Sequence, residues 1–176
     1  MNNTIDINEI DKTKFKCYKF PDNSLYYGEI GYMDPITYAV LLEKDLDVHS
    51  EDKIKVMKLV RHGVGVQLFD VEENDCLCRY EGEWTKDKKN GKGTCYFPDK
   101  SVYEGCFAND LFEGYGKYSW PNNDIYIGLW KAGRMEGEGE FKHNDGHILK
   151  GIFKNNYFFD VSFRKNEIIL FFYNLI

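Results

Sequence analysis

The stretch from Tyr80 to Ile148 decides the fold: YEGEWTKDKKNGKGTCYFPDKSV (80–102), YEGCFANDLFEGYGKYSWPNNDI (103–125) and YIGLWKAGRMEGEGEFKHNDGHI (126–148). Set one under another, the lines repeat with a period of 23 residues. Each opens on aromatic–x–Gly–x–aromatic: Tyr80, Gly82, Trp84; Tyr103, Gly105, Phe107; Tyr126, Gly128, Trp130. Each continues to a Gly–x–Gly pair: Gly91/Gly93, Gly114/Gly116, Gly137/Gly139. A weakened fourth opening follows at Leu149, Gly151 and Phe153. Self-similarity at such a period marks a stacked repeat, in which one small unit cannot bury its apolar face alone and neighbours close it. Chains of this kind present surfaces.

The spacing of two within each motif makes the units strands, because alternate strand residues share a face. Tyr80, Gly82 and Trp84 point one way; Gly91, Gly93, Cys95 and Phe97 are expected to share a face in the second strand. Glycine weakens a strand by itself. Here it is expected to leave a slot over which a large ring lies. The turns that close each unit agree: Phe97-Pro98-Asp99-Lys100 and Trp120-Pro121-Asn122-Asn123 place proline early and Asp or Asn next, and His143-Asn144-Asp145-Gly146 is a version without proline. Proline presets the first turn dihedral, and Asn or Gly tolerates the left-handed residue that follows. Lys100 departs from that rule, and modest strain is expected there. The expected architecture is all-β: an elongated single-layer stack of antiparallel hairpins, about five repeats, with one inserted segment and capping ends.

Working toward the N-terminus, an earlier copy sits at Tyr26–Gly28–Ile30, 54 residues before Tyr80. Gly63–x–Gly65 is its second half, with surplus residues in both turns. The larger insertion, 31–62, is read as an elongated hairpin, Ile36–Glu43 against Lys53–Val60, in slight preference to a helix capped by Asp34 and started by Pro35. Tyr18-Lys19-Phe20-Pro21 matches a repeat end whose glycine positions hold Lys14 and Lys16, and is read as one cap. At the other end Asp160–x–Ser162 stands where Gly–x–Gly would recur, and the tail EIILFFYNLI is expected to cap the last hairpin, with a dimer interface or a return into a groove as alternatives. The chain 1–176 is thus read as one domain: degenerate repeats at 15–79, regular repeats at 80–153 and a cap at 154–176.

Tyr-x-Gly-x-Trp, then Gly-x-Gly, then an aromatic-Pro-Asp turn resembles the MORN repeat, clearly from Tyr80 to about Phe153 and in degenerate form from Tyr18 to Phe69. The resemblance implies β-hairpins stacked into a twisted or curved sheet with a groove. It also implies a scaffold: such proteins are associated with acidic phospholipids, with homodimerisation and with membrane–cytoskeleton junctions, and several hold a helical or extended peptide. The insertion after Ile30, the short array and the missing last glycine pair depart from that pattern.

Composition narrows the function. The chain of 176 residues carries a formal net charge of −6, against the basic field a nucleic-acid binder needs. The regular repeats hold twelve acidic and ten basic residues, so they are nearly neutral. The one basic cluster, Lys86, Lys88, Lys89 and Lys92, reads as a solvated hairpin tip or, more sharply, as a contact for a phosphoinositide head group. Five cysteines form no disulfide framework, and the first residues, MNNTIDINEIDKTKF, are polar; a cytoplasmic protein, peripheral to a membrane or cytoskeleton, is expected. The apolar tail is too short to span a bilayer. There is no phosphate loop and no His-Glu-x-x-His, so neither an enzyme nor a cofactor is expected. Cys76, Cys78 and a nearby His62 fall short of a zinc site, and no metal is expected.

The candidate site is the aromatic face. Rings at the strand centres are expected to be structural, and Tyr18, Phe20, Cys95, Phe97, Tyr118, Trp120 and Phe141 to floor an open groove. That groove would take a partner peptide or helix, or a second copy of the chain. The alternative is peripheral binding of acidic phospholipid through the four lysines.

Overall fold

The computed structural model describes residues 16–45, 55–69, 78–164 and 167–174. The polar N-terminal residues with Lys14, the inner part of the insertion with Lys53, and Cys76 lie outside them. The strands are β1 (Cys17–Lys19), β2 (Leu25–Met33), β3 (Val40–Leu42), β4 (Lys58–Phe69), β5 (Cys78–Thr85), β6 (Lys88–Tyr96), β7 (Val102–Ala108), β8 (Leu111–Ser119), β9 (Ile125–Lys131), β10 (Arg134–Lys142), β11 (Ile148–Lys154), β12 (Tyr157–Arg164) and β13 (Glu167–Asn174). They form one open antiparallel sheet in which β1, β2 and β4 to β13 follow each other in order and β3 pairs beside β2. A single 3₁₀ turn at Glu43–Asp45 is the one helical element among the described residues.

Each hairpin has the same construction. In β5–β6, Gly82 faces Gly93 and Trp84 faces Lys89, so β6 carries two extra residues between those pairs. The same offset recurs in β2–β4, β7–β8 and β9–β10. The two glycines of the sequence pair therefore do different work. Gly91, in the bulge, sits at φ +103°, where a Cβ would also press on the Glu83 carboxylate. Gly93 lies in the regular ladder, and a Cβ there would meet the Tyr80 hydroxyl at 2.5 Å. The expected shared slot is thus formed by Gly82 and Gly93, while Gly91 shapes the bulge.

The hairpin tips are two-residue turns with both residues left-handed: Lys86–Asp87, Asn109–Asp110, Ala132–Gly133 and Asn155–Asn156. Asp87 N–H donates to the carbonyl of Arg61, Asp110 N–H to that of Lys89, Gly133 N–H to that of Phe112, and Asn156 N–H to that of Met135. The Asx side chains return the bond: Asp87 accepts from Arg61 N–H, Asp110 from Lys89 N–H and Asn156 from Met135 N–H, at 2.8–2.9 Å. Each tip is so clipped to the hairpin before it.

The insertion differs from its expected form. Asp34 Oδ1 accepts from the N–H groups of Ile36 and Thr37, and Asp34 N–H donates to Ala39 O at 2.9 Å. This closes a tight turn before Ile36 can enter a strand. Val40–Leu42 then folds back on Gly31–Met33, and Lys58–Val60 pairs with the other edge of those same residues. The hairpin of Ile36–Glu43 with Lys53–Val60 is therefore replaced by an extended β2 flanked on both sides. The expected cap at Asp34 is present, but it closes a turn and no helix follows. At the far end β13 pairs along the whole of β12, so residues 167–174 of the apolar tail add a strand to the last hairpin.

Candidate partner-binding surface

The aromatic face is built by the Tyr of each motif. Tyr26, Tyr80, Tyr103 and Tyr126 are all fully buried. Each ring crosses its facing glycines and donates its hydroxyl to a carbonyl three residues on: Glu29, Glu83, Cys106 and Leu129, at 2.8–3.0 Å. Burial raises the pKa of all four phenols well above their ordinary value, since the anion would lose its water. Between them stand the second aromatics. Tyr26 meets Trp84, Trp84 meets Tyr80, Tyr80 meets Phe107, Phe107 meets Tyr103, Tyr103 meets Trp130, Trp130 meets Tyr126 and Tyr126 meets Phe153, all edge to face at 4.8–5.7 Å. Edge-to-face pairs contribute about 0.5–1.5 kcal/mol each beyond their buried area. Each second aromatic thus ties its own repeat to the preceding one.

This ladder absorbs part of the expected groove floor. Phe20, Cys95 and Phe141 are buried within the ring cluster, and Tyr18, Phe97, Tyr118 and Trp120 are half-buried against it. The reason is that paired residues of the two strands share a face, so the side chains of the second strand pack among the rings of the first. Cys95 and Phe141 face Tyr103 and Leu149 in the ladder and serve as filling. Phe97, Tyr118 and Trp120 form the part nearest solvent, with Phe97 5.9 Å and Trp120 4.5 Å from Tyr118 between centroids. His143 packs against Phe141 in a tilted arrangement, 4.8 Å between centroids, and is half-buried as a terminal ring.

The lysine cluster is divided too. Lys86, Lys88 and Lys92 are exposed, whereas Lys89 turns to the aromatic side, its Nζ 5.1 Å from the Tyr80 ring and 5.3 Å from Phe69. Lys89 occupies the place that Phe112, Met135 and Phe158 hold opposite the second aromatic of later repeats. Arg61 does so opposite Ile30, with its guanidinium over Phe20 and Trp84 and its Nε 3.2 Å from Asp87. Cations thus substitute for apolar filling at the N-terminal end of the array, where cation–π contact offsets their burial.

The opposite face carries the feature sequence reading missed. Across β8 to β11 it presents Tyr115, Ile127 and Ile152, exposed by 63%, 37% and 49%. They line a groove of about 510 Å³ with Glu138, Glu140 and Lys150. The backbone of Gly128, Gly139 and Gly151 lines it between these flanking side chains, and a Cβ on Gly128 or Gly139 would point away from it, onto the Tyr126 ring of the other face. Leu129 and Ile148 extend the apolar surface and are also exposed. The signal was legible in YIGLW, where Ile127 and Leu129 alternate with the buried rings.

An open sheet of repeated hairpins, held by a ring ladder and clipped tip to tip, defines a β-hairpin repeat protein. The MORN repeat model matches residues 80–102, 103–125 and 126–148, so the chain carries three consecutive MORN repeats. No curated protein matches the chain. The structure extends the same geometry to the unmatched unit at β2–β4, where a Cβ on Gly65 would strike the Tyr26 hydroxyl. Among the described residues no helix is long and apolar enough to cross a membrane, and no group of three His, Cys, Asp or Glu side chains is placed to hold a metal ion.

Proposed function

We propose that this chain is a non-enzymatic binding module and that it holds a segment of another protein in the glycine-lined groove between β8 and β11. The observation that carries this reading is the exposure of Tyr115, Ile127 and Ile152 around one groove on the face turned away from the ring ladder, with Leu129 and Ile148 exposed beside it. Glu138 and Glu140 outnumber Lys150 on the lining, and Lys150 is engaged with Glu140 at 3.5 Å. The occupant of best fit is a short segment with apolar side chains and an adjacent basic residue. The Tyr115 ring would supply the hot spot.

A peptide library selected on the purified chain tests this. Selected binders are expected to pair apolar residues with Lys or Arg, and to be lost on Ile127→Asp combined with Ile152→Asp, with the circular dichroism spectrum unchanged. They are expected to persist on Trp120→Ala; loss there instead would move the site to Phe97, Tyr118 and Trp120. Sedimentation with phosphoinositide vesicles that disappears when Lys86, Lys88 and Lys92 become Glu, alongside no peptide selection, would replace this reading with a lipid-binding one.

A further inference from the structure

We propose that Cys78 and Cys95 form a peroxide-responsive thiol pair that closes to a disulfide between β5 and β6. Tyr80 faces Cys95 and Arg79 faces Tyr96 in the ladder, which places Cys78 diagonal to Cys95 on the aromatic side. On that diagonal the two thiols are neighbours, and each shifts the ionisation of the other. Both cysteines are free in the structure, Cys95 fully enclosed and Cys78 half-buried. The pair is therefore asymmetric, with one sulfur open to a small oxidant and the other behind it.

The surroundings favour a thiolate at the outer position. Interaction with the Cys95 thiol, aided by the nearby Lys89 charge, brings the Cys78 thiol down to about 7, while the same interaction and burial keep Cys95 protonated. Lys89 is held there by its contacts to Tyr80 and Phe69. The other titratable groups on this side are Tyr80, Tyr103 on β7 and Tyr118 on β8, each kept neutral by burial; β4 contributes Gln67 and Phe69, which do not titrate. Arg79 and Glu81 alternate to the other face and pair with each other. Thiolate character and access together set susceptibility to peroxide.

The chemistry balances with a hydroperoxide as oxidant. The Cys78 thiolate attacks the terminal peroxide oxygen, the O–O bond breaks, and after protonation an alcohol (or water) leaves, giving Cys78 sulfenic acid. The Cys95 thiol then displaces hydroxide from that sulfur, its own proton completing a water molecule, and the S–S bond forms. Two thiols are oxidised and one peroxide is reduced.

The test treats the purified full chain with hydrogen peroxide and maps disulfides by peptide mass spectrometry. A Cys78–Cys95 cross-linked peptide, two hydrogens lighter and restored by dithiothreitol, is expected. Cys95→Ser should leave Cys78 trapped by dimedone as the sulfenic acid. Should that variant not fold, the unmodified chain gives an independent readout. Iodoacetamide labelling of Cys78 is expected to reach half its maximal rate near pH 7, and Lys89→Gln to move that midpoint upward. Oxidation confined to the exposed Cys17, a Cys76–Cys78 bridge, or a labelling midpoint above pH 8 would overturn the proposal.

Discussion

At Gly105 a Cβ would lie 2.6 Å from the Gly116 Cα and 2.7 Å from the Tyr103 hydroxyl, both closer than real Cβ contacts allow. Gly105→Leu must therefore push the Tyr103 ring off its glycines and break its bond to the Cys106 carbonyl. We expect a loss on the order of 3 kcal/mol, against less than about 0.5 kcal/mol for the exposed Lys100→Ala, read from denaturant melts of the two variants. Coincident midpoints would refute the slot. Lys100 itself sits at φ +74°, where the turns at Asn23, Asn123 and Gly146 have better-suited residues. Lys100→Asn is expected to raise stability by about 0.5–1 kcal/mol by removing that backbone cost. The four ladder tyrosines give a further test at this scale. Their pKa values are raised by burial, so the stability they contribute is complete below the ordinary phenol value, about 10, and falls as pH rises toward the folded-state values. Absorbance at 295 nm should show these phenols ionising together with loss of the β-sheet signal. Their titration near pH 10 in an intact sheet would contradict the burial.

At the scale of the hairpin, the Asx residue at the second tip position is a clip between neighbours, and one repeat lacks it. Asp110 accepts the Lys89 N–H at 2.8 Å and Asn156 the Met135 N–H at 2.9 Å, but Gly133 has no side chain to reach Phe112. A Cβ at Gly133 would have open space, its nearest neighbour being Leu111 at 4.0 Å, and Asn accepts the left-handed φ of +78°. Gly133→Asn is accordingly expected to stabilise the chain by about 0.5–1.5 kcal/mol, and Asp110→Ala to destabilise it by a similar amount or more. Thermal midpoints moving the opposite way in both would remove the clip from the account. The tips also mark where sequence legibility stopped. Period and alternation sufficed to place β5 to β11, because most of the alternate residues on their aromatic side are rings or glycines. The bulge at Gly91 was not legible, since Gly–x–Gly looks like two equal slots until the strand partner shows that Gly93 faces Gly82 and Gly91 faces Phe107. The insertion failed for a similar reason: Ile36 and Tyr38 look like strand residues, yet Asp34 closes its turn over them and leaves both exposed. The surface proposed above was not singled out because aromatic residues drew attention to the face they build, while the exposed aliphatics Ile127 and Ile152 sit between them.

Over the whole molecule, stability should be a chain of nearest-neighbour terms, as in other quasi-one-dimensional repeat arrays. The ring contacts specify which terms. Phe107 and Trp130 share two partners: Tyr103 lies 5.1 and 5.5 Å from them, and Phe112 lies 5.6 and 5.2 Å away. Trp84 reaches only Tyr26 and Tyr80 among the described ring pairs, at 5.7 and 5.0 Å, and shares neither with Trp130. Substitutions in one contact network couple, and those without a shared partner add. A double-mutant cycle on Phe107→Leu and Trp130→Leu is therefore expected to show an interaction energy of about 0.5–2 kcal/mol, because the first substitution already frees Tyr103 to move. The cycle on Trp84→Leu and Trp130→Leu is expected to close within about 0.5 kcal/mol. Both cycles need only urea unfolding of six proteins, the parent included. Equal coupling in the two would mean that strain is spread through the entire sheet and that the ladder is not what joins one hairpin to the next. Additivity in both would mean the tip clips and backbone ladder suffice, and that the rings serve each hairpin separately.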